Sequence, residues 1–541
     1  MSLKTFFTPG RPVGKDQKAW RWFVYVFVLL GLLLDNLNVS GALNTGKSLE
    51  EEFNVSSSTA SWALSAYALT LGSFIILFGK MGDIIGVHLM YLGGLFIMMV
   101  FSVLVASVKS SIIAVIIFRA FQGIGGAALI PSSYAITGNY FKGKDFYTAL
   151  TVFSIFLVCS FGIGLILGGA LGFSHFFYFS FAVAAVCFIV LWFIIIPVER
   201  TAAHDKLKLK NLDFPVGAML VVGLLLIIFG LTEAANTWNS PKVYVTIPIG
   251  FCLLVAIFLF ENVYLRTYQK NHQANYHQSD DHDEKGSKES PIEQHTYDSD
   301  DPINNKKSWR MNVDLLFPIE IFQLKNCLPL FFSLFLYYAS FIVYMTSLLQ
   351  YYEYLHGDSA LLAGVKLLPL TIGLVVSSIT VTPGYVSFIG YKRSLILSGT
   401  LSLGAAIWIN RSDYTVVNDY WKFNAVPLFL SGFGVNSFFK VYLSSIMLQT
   451  EPHLHGLVTG IFQTGAQIGV SIANSIASTM IGNIAVQLAK EDYKPLLFHK
   501  FRNVLYLNLA INSTVFLLMF TIKEAKPEEV EQEQPATDNQ V

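Results

Sequence analysis

The chain has 541 residues, of which 53% are hydrophobic and only 13% charged. An ordinary soluble protein carries about 25% charged residues, so a soluble fold of this composition would lack the polar surface it needs. The formal net charge of +0 leaves no basic excess for nucleic acid.

Apolar runs follow one another along the chain, each near the ~20 residues that a helix needs to cross a hydrocarbon core. They place spans at 22–42, 61–79, 88–107, 111–137, 147–172, 175–197, 213–233 and 244–266, then at 327–351, 360–382, 393–410, 423–448, 457–486 and 502–522. In lipid only helices or closed barrels satisfy every backbone polar group, and runs this long are helices. The first run is too long for a signal-peptide core and reads as a retained first span. The expectation is an all-α integral membrane protein of about fourteen transmembrane helices.

The cysteines, Cys159, Cys187, Cys252 and Cys327, lie in or at the ends of the runs without a CxxC spacing. They read as packed thiols. The long polar stretch from about 267 to 310 divides eight spans from six and reads as a disordered linker, taken to 326. Its His272, His277 and His282 recur every five residues. With acids nearby a metal site is the alternative, but no fold holds them as a ligand set, so a solvated linker with no metal and no cofactor is the expectation.

An even number of spans puts both termini on one side. With the termini inside, the inner segments hold roughly two dozen Lys and Arg and the outer ones about nine, as the positive-inside rule requires. The inner clusters include Lys15, Lys18 and Arg21, then Lys206, Lys208 and Lys210, then Lys392 and Arg393. One outer loop dissents, with Lys490, Lys494, Lys500 and Arg502. Asn54-Val55-Ser56 is a glycosylation sequon on the side this topology makes external.

Charges inside spans carry the functional information, because each costs at least ~2.5 kcal/mol at mid-bilayer. Asp35 lies in the first span with Asn38 one turn on. A carboxylate there can exchange a proton, or it can be a structural acid bonded to a neighbouring helix. Arg119 lies in the fourth span, with Gln122, Gly123 and Gly126 on its face at i+3, i+4 and i+7. That stripe points to a guanidinium facing a cavity, or to an arginine held by backbone carbonyls. Lys366 and Lys440 are also intramembrane. The first is near a span end and reads as snorkelling; the second, one turn from Asn436, is a candidate to line the pathway.

Gly164, Gly168 and Gly172 make overlapping GxxxG repeats in the fifth span, joined by Gly169. Such residues let helix backbones approach closely in lipid. Gly79 to His88, with Asp83 and Gly86, reads as a tight inner loop between the second and third spans. Tyr67, Tyr338, Asn436, Gln463 and Gln467 are candidates for a substrate cavity.

These features together resemble the major facilitator superfamily, specifically its fourteen-span drug:proton antiporter branch in fungi. Leu34–Leu43 is similar to that branch's LDxTIVNVALP pattern, and Ser61-Trp62 with Ala66-Tyr67 to its SW…AY opening of the second span. Gly79–His88 resembles the G-x-L-x-D-x-x-G-R-[RK] loop, and Arg119–Gly125 resembles RxxQGxG. Leu348 to Pro369 resembles YLQ…GxSPLxAGLxxLP.

The resemblance implies two six-helix bundles plus two extra helices, with substrate between the bundles and alternating access by rocking. The corresponding division is 1–21 N-terminus, 22–200 first bundle, 201–266 extra helices, 267–326 linker, 327–522 second bundle and 523–541 tail. It further implies proton coupling through Asp35 and Arg119, and an inner gate at Asp83 and its glycines. The fifth span departs from the G-P-x-x-G-G antiporter motif, with Leu165 in the proline's place.

The expected function is secondary active, proton-coupled export of small organic or toxic solutes. The alternatives are an uncoupled facilitator of a small polar solute and a non-transporting nutrient sensor. A membrane enzyme is not expected, because no nucleophile–base pair stands at catalytic spacing. The expected partners are a small-molecule substrate, protons where coupling holds, and the bilayer. The chain is expected to be a monomer in the plasma membrane, with the vacuolar membrane as the alternative, and with both termini cytoplasmic.

Overall fold

The computed structural model describes residues 18–55, 57–197, 214–234, 238–268, 320–450, 455–482, 484 and 493–524. Most of the expected linker, its three histidines, most of the two terminal segments and the cluster at 206–210 lie outside the described residues. The described chain is built of helices, with no strand among the described residues.

The long helices in chain order are α1 (Lys18–Asn44), α2 (Ser57–Ile85), α3 (Val87–Ser107) and α4 (Ile112–Tyr140). A run of 52 residues follows, Gly143–Ile194, broken at Gly172 with φ +69 into α5 (143–171) and α6 (173–194). Next come α7 (Phe214–Ala234) and α8 (Thr246–Leu259), the latter extended by a π-helical turn at Phe260–Leu265. The second group is α9 (Cys327–Tyr351), α10 (Ala360–Lys366, then Leu368–Thr380), α11 (Tyr391–Ile409), α12 (Ala425–Gln449), α13 (His455–Ile481) and α14 (Tyr493–Thr521). They correspond in order to the fourteen expected spans.

Ten of these runs among the described residues are long and apolar enough to cross a membrane, with Gly143–Ile194 counted as one. The apolar stretch of α7, Pro215–Leu231, is shorter. Apolar side chains cover the outward faces, among them Phe96, Ile117, Val186, Phe251 and Leu517. In water such a surface would be unstable; against acyl chains it needs no covering.

Helices α1–α6 pack on one another, chiefly α1 on α5, α2 on α4 and α3 on α4. Helices α9–α14 do the same, chiefly α10 on α12, α11 on α12, and α9 on α13 and α14. The two groups meet along two seams, α5 with α10 and α2 with α13.

The chain direction fixes two ends of the bundle. Lys18 pairs with Asp145 at 2.8 Å, joining the starts of α1 and α5. Asn326, just before α9, exchanges hydrogen bonds of 2.9 Å with the backbone of Lys523, just after α14. At the far end Asn44, the last residue of α1, donates to the Leu165 carbonyl (2.7 Å) and the Ala360 carbonyl (2.9 Å). That amide ties α1, α5 and α10 together across the two groups.

Close backbone approach supports this packing. A Cβ on Gly168 would fall on the Gly41 backbone, and one on Gly164 would crowd Ser40 and Leu37. Gly169 lies equally close to Asn44 and Leu361. Gly168→Val should therefore destabilise the protein by about 3 kcal/mol, because backbone on both sides leaves nothing to move aside. Gly404, with no atom within 4 Å of its Cβ position, is the control. Thermal melting in detergent should show a large drop for Gly168→Val and little change for Gly404→Val.

Two expectations are corrected here. Gly172 does not pack against a neighbouring helix: nothing lies within 4 Å of its Cβ position, and its positive φ makes the break between α5 and α6. The segment Gly79–His88 is not a loop. Helix α2 runs through Gly79 and Asp83 to Ile85, and Gly86 alone, at φ +117, separates it from α3. Glycine weakens a helix in water, but in lipid the chain keeps its backbone hydrogen bonds and breaks at one residue. Asn54 is exposed at φ 51 and closes the short helix Gly46–Phe53 after α1.

Candidate functional site in the central cavity

Between the two groups lies a cavity of about 560 Å³. It runs from Phe153 and Phe439 at mid-bundle to Trp62, Gln350 and Gly482 at the end away from Lys18 and Lys523. Residues of α1, α2, α4 and α5 face residues of α9, α10, α12 and α13 across it. A cavity of this size suits a small organic molecule.

Asp35 lines this cavity, and is the only Asp, Glu, Lys, Arg or His to do so among the described residues. It is 4% exposed, and its Oδ1 accepts a hydrogen bond of 2.5 Å from the Tyr67 hydroxyl on α2. Gly126 on α4 makes room for the pair: a Cβ there would stand 2.5 Å from Asp35 Oδ1 and 2.6 Å from the Tyr67 hydroxyl. The carboxylate forms no ion pair among the described residues. Burial without a direct ion pair makes the ionised carboxylate costly, and the nearest cation, Arg119, stands behind the Tyr67 ring.

Arg119 is placed differently from the expectation of a guanidinium facing a cavity. It is fully buried behind the cavity wall. Its Nε donates to the Ala63 carbonyl (3.0 Å), Nη1 to Gln122 Oε1 (2.6 Å) and Nη2 to the Asn38 carbonyl (3.5 Å). The guanidinium lies over the rings of Tyr67 at 4.5 Å and Phe177 at 5.2 Å. It is held by carbonyls and π faces, and it reaches Asp35 only through Tyr67. Gln122 passes the network on to Ser102 (2.7 Å), and Ser102 meets Ser180 at 3.3 Å.

Asn38 also lies off the cavity, its Nδ2 donating to Met98 Sδ at 3.5 Å. Gly123 lets α2 and α4 close on one another, since a Cβ there would fall on the Tyr67 carbonyl. The α4 stripe read from the sequence is therefore a helix-packing face with a buried cation, not a cavity wall.

The second-group candidates divide. Tyr338, Asn436, Gln463 and Gln467 line the cavity with Tyr67. Gln463 Nε2 donates to the Tyr338 hydroxyl at 3.3 Å. Lys440 does not line it. Its ammonium donates to the Ser378 carbonyl at 2.6 Å, near the end of α10. Lys366 pairs with Asp358 and faces the Tyr352 ring at 5.0 Å, as a span-end lysine should.

The cavity floor holds residues that sequence reasoning missed. Ser154 on α5 meets the Ser378 hydroxyl at 2.9 Å, and Asn436 donates to the same hydroxyl at 2.9 Å. These bonds join α5 to α10 and α12 below the cavity. A serine in an apolar span gives no distinguishing signal in a sequence. Tyr134 and Asn474 also line the cavity and were not singled out.

The model of the Major Facilitator Superfamily matches residues 26–277 and 330–539. The aminotriazole resistance protein of Saccharomyces cerevisiae is 25% identical over 260 residues, 46% of this chain and 47% of that protein. The chain thus matches about half the length of that relative. Multidrug resistance protein 3 of Bacillus subtilis is 24% identical over 482 residues, 86% of this chain and 81% of that protein. The solved structure of the human organic anion transporter MFSD10 (TETRAN) is 15% identical, with a TM-score of 0.56 over 92% of this chain and 99% of that one. That likeness concerns the fold. With the family model covering most of its length, this chain belongs to the major facilitator superfamily and is a membrane transporter, not an enzyme.

Proposed function

We propose that this transporter exports small organic or toxic solutes by alternating access, driven by proton exchange at Asp35. The observation that carries the proposal is the position of Asp35: a lone carboxylate on a cavity otherwise lined by aromatic, aliphatic, amide and hydroxyl groups. Its partner is a hydroxyl, so the site can pass between ionised and neutral forms without dismantling a salt bridge. The aromatic rings and amides can hold a small organic solute, and the relatives named for aminotriazole and multidrug resistance favour export.

The cavity extends toward the end away from Lys18 and Lys523. With the basic clusters of the terminal end inside, this is an outward-facing arrangement, and the Ser154–Ser378–Asn436 contacts close the inner side. Asn54 then lies outside and is available for glycosylation. The gate role of Gly79, Asp83 and Gly86 would be exercised by the α2–α3 junction rather than by a loop. The membrane proposed is the plasma membrane, and the chain is proposed to act as a monomer.

The test is export of a panel of toxic compounds from pump-deficient yeast, with and without a protonophore. Export that the protonophore abolishes at constant ATP supports coupling. Export that persists unchanged removes it, and equilibration without accumulation against a gradient replaces the exporter with a facilitator.

A further inference from the structure

The two helices between the groups, α7 and α8, take no part in the contacts that build either group, yet α7 touches both. It packs against α2 on one side and α13 on the other. These are the helices of one inter-group seam. Close contacts of that seam sit toward the terminal end: Thr464 donates to the Gly72 carbonyl at 3.1 Å, and Gly460 lies against Ile76. Farther out the two helices border the cavity, with Trp62 and Ala68 on α2 facing Ser475 and Thr479 on α13.

Behind those cavity residues stands α7. Ser475 lines the cavity, and its hydroxyl donates to the Leu231 carbonyl. The Thr479 hydroxyl shares its proton between the Ser475 carbonyl of its own helix (2.8 Å) and the Ala234 carbonyl (3.2 Å), and accepts from Trp238 Nε1 at 3.2 Å. From the other group, Trp62 meets Phe229 with ring centroids 5.6 Å apart. Ile228 fits against Gly72, where Gln467 also arrives. Cavity-lining residues of both groups therefore have their backs on α7, Trp62 from the first and Ser475 and Thr479 from the second.

Helix α8 lies against the far side of α7, with Gly223 and Gly250 in close approach. Its own outer face is apolar and exposed, with Phe251, Val255, Leu259 and Val263. The order from centre to periphery is cavity, α2 and α13, α7, α8, lipid.

We propose that α7, braced by α8, is a lateral wall that shuts the α2–α13 side of the cavity off from the bilayer. The hydrogen bonds of Ser475 and Thr479 hold it on α13. Solute then meets the cavity from the aqueous end, and compounds dissolved in the membrane do not enter through the α2–α13 side. Carbonyls near the end of α7 gain partners that lipid does not supply, so the wall is favoured over a gap. The proposal rests on the central cavity being the transport site, but its test does not depend on transport.

The test uses the full chain with its native cysteines changed to alanine and a nitroxide at Ser471→Cys, a cavity position on α13. Power saturation compares oxygen, which concentrates in lipid, with a water-soluble nickel chelate. A nitroxide at Val255→Cys on the exposed face of α8 is the lipid reference. The Ser471 reporter should respond to the chelate, and the Val255 reporter to oxygen. Adding Ser475→Ala and Thr479→Val should shift the Ser471 reporter toward oxygen. An oxygen-dominated Ser471 reporter in the chain with the wall intact would overturn the proposal. So would an unchanged ratio in a double variant that melts like its parent. Absent export with the expected access pattern would count against the function proposed above, not against the wall.

Discussion

Asp35→Asn is expected to reduce proton-driven export to the level of vesicles without protein while leaving the fold intact. Asparagine has the carboxylate's shape, and its Oδ1 can still accept from the Tyr67 hydroxyl. The space left by Gly126 accommodates the amide as it does the acid. The stability change should stay within about 1 kcal/mol, the worth of one hydrogen bond altered in strength but not removed. What asparagine cannot do is release a proton. Reconstituted vesicles with an imposed proton gradient, matched for protein by gel and for fold by melting, read both quantities. Export that survives in Asp35→Asn would make Asp35 a structural acid. Loss of export together with a collapsed melting temperature would call for the same assay on Tyr67→Phe, which removes the hydroxyl and keeps the acid.

Arg119→Ala is expected to have the largest effect on stability of any single change considered. The guanidinium satisfies two buried carbonyls and the Gln122 amide, and fills the space between the rings of Tyr67 and Phe177. Removing it leaves acceptors without donors in a lipid-surrounded core and opens a cavity as large as the side chain. Buried polar loss and cavity formation each cost a few kcal/mol, so a total of about 5 kcal/mol is expected. The variant should be nearly absent from detergent extracts. Arg119→Lys retains the charge without the fork of donors and should fall between. Because Arg119 does not line the cavity, folded Arg119→Lys should keep its dependence on the proton gradient. Export that becomes gradient-independent in that variant would give Arg119 a part in coupling beyond its scaffold.

The spans were legible because lipid demands long apolar runs, and the runs appear in the sequence nearly where the helices do. Asp35 was legible for the complementary reason, a charge where a charge is costly. Arg119 and its i+3, i+4 and i+7 neighbours were correctly placed on one helical face. Periodicity gives a face but not what the face meets, and this one meets α1, α2 and α3 rather than the cavity. Gly168 and Gly172 belong to one motif and look alike, yet one touches Gly41 and the other turns the chain. Only the path of the chain separates them. The glycines from Gly79 to Gly86 suggested a loop because glycine permits tight turns, whereas here only Gly86 turns the chain. Ser154, Asn44 and the backing of the cavity by α7 depend on contacts between residues more than a hundred positions apart, or between groups. A single sequence carries no record of those.

The most direct test of the central claim is proton release on substrate binding by the purified protein. A compound shown to be exported is added to the transporter in weakly buffered detergent solution, and pH is followed with a soluble dye. Exchange at Asp35 predicts release of protons on addition, saturating with the compound, and none from Asp35→Asn that still binds it. Binding without release by the unaltered protein, or equal release from Asp35→Asn, would contradict the account.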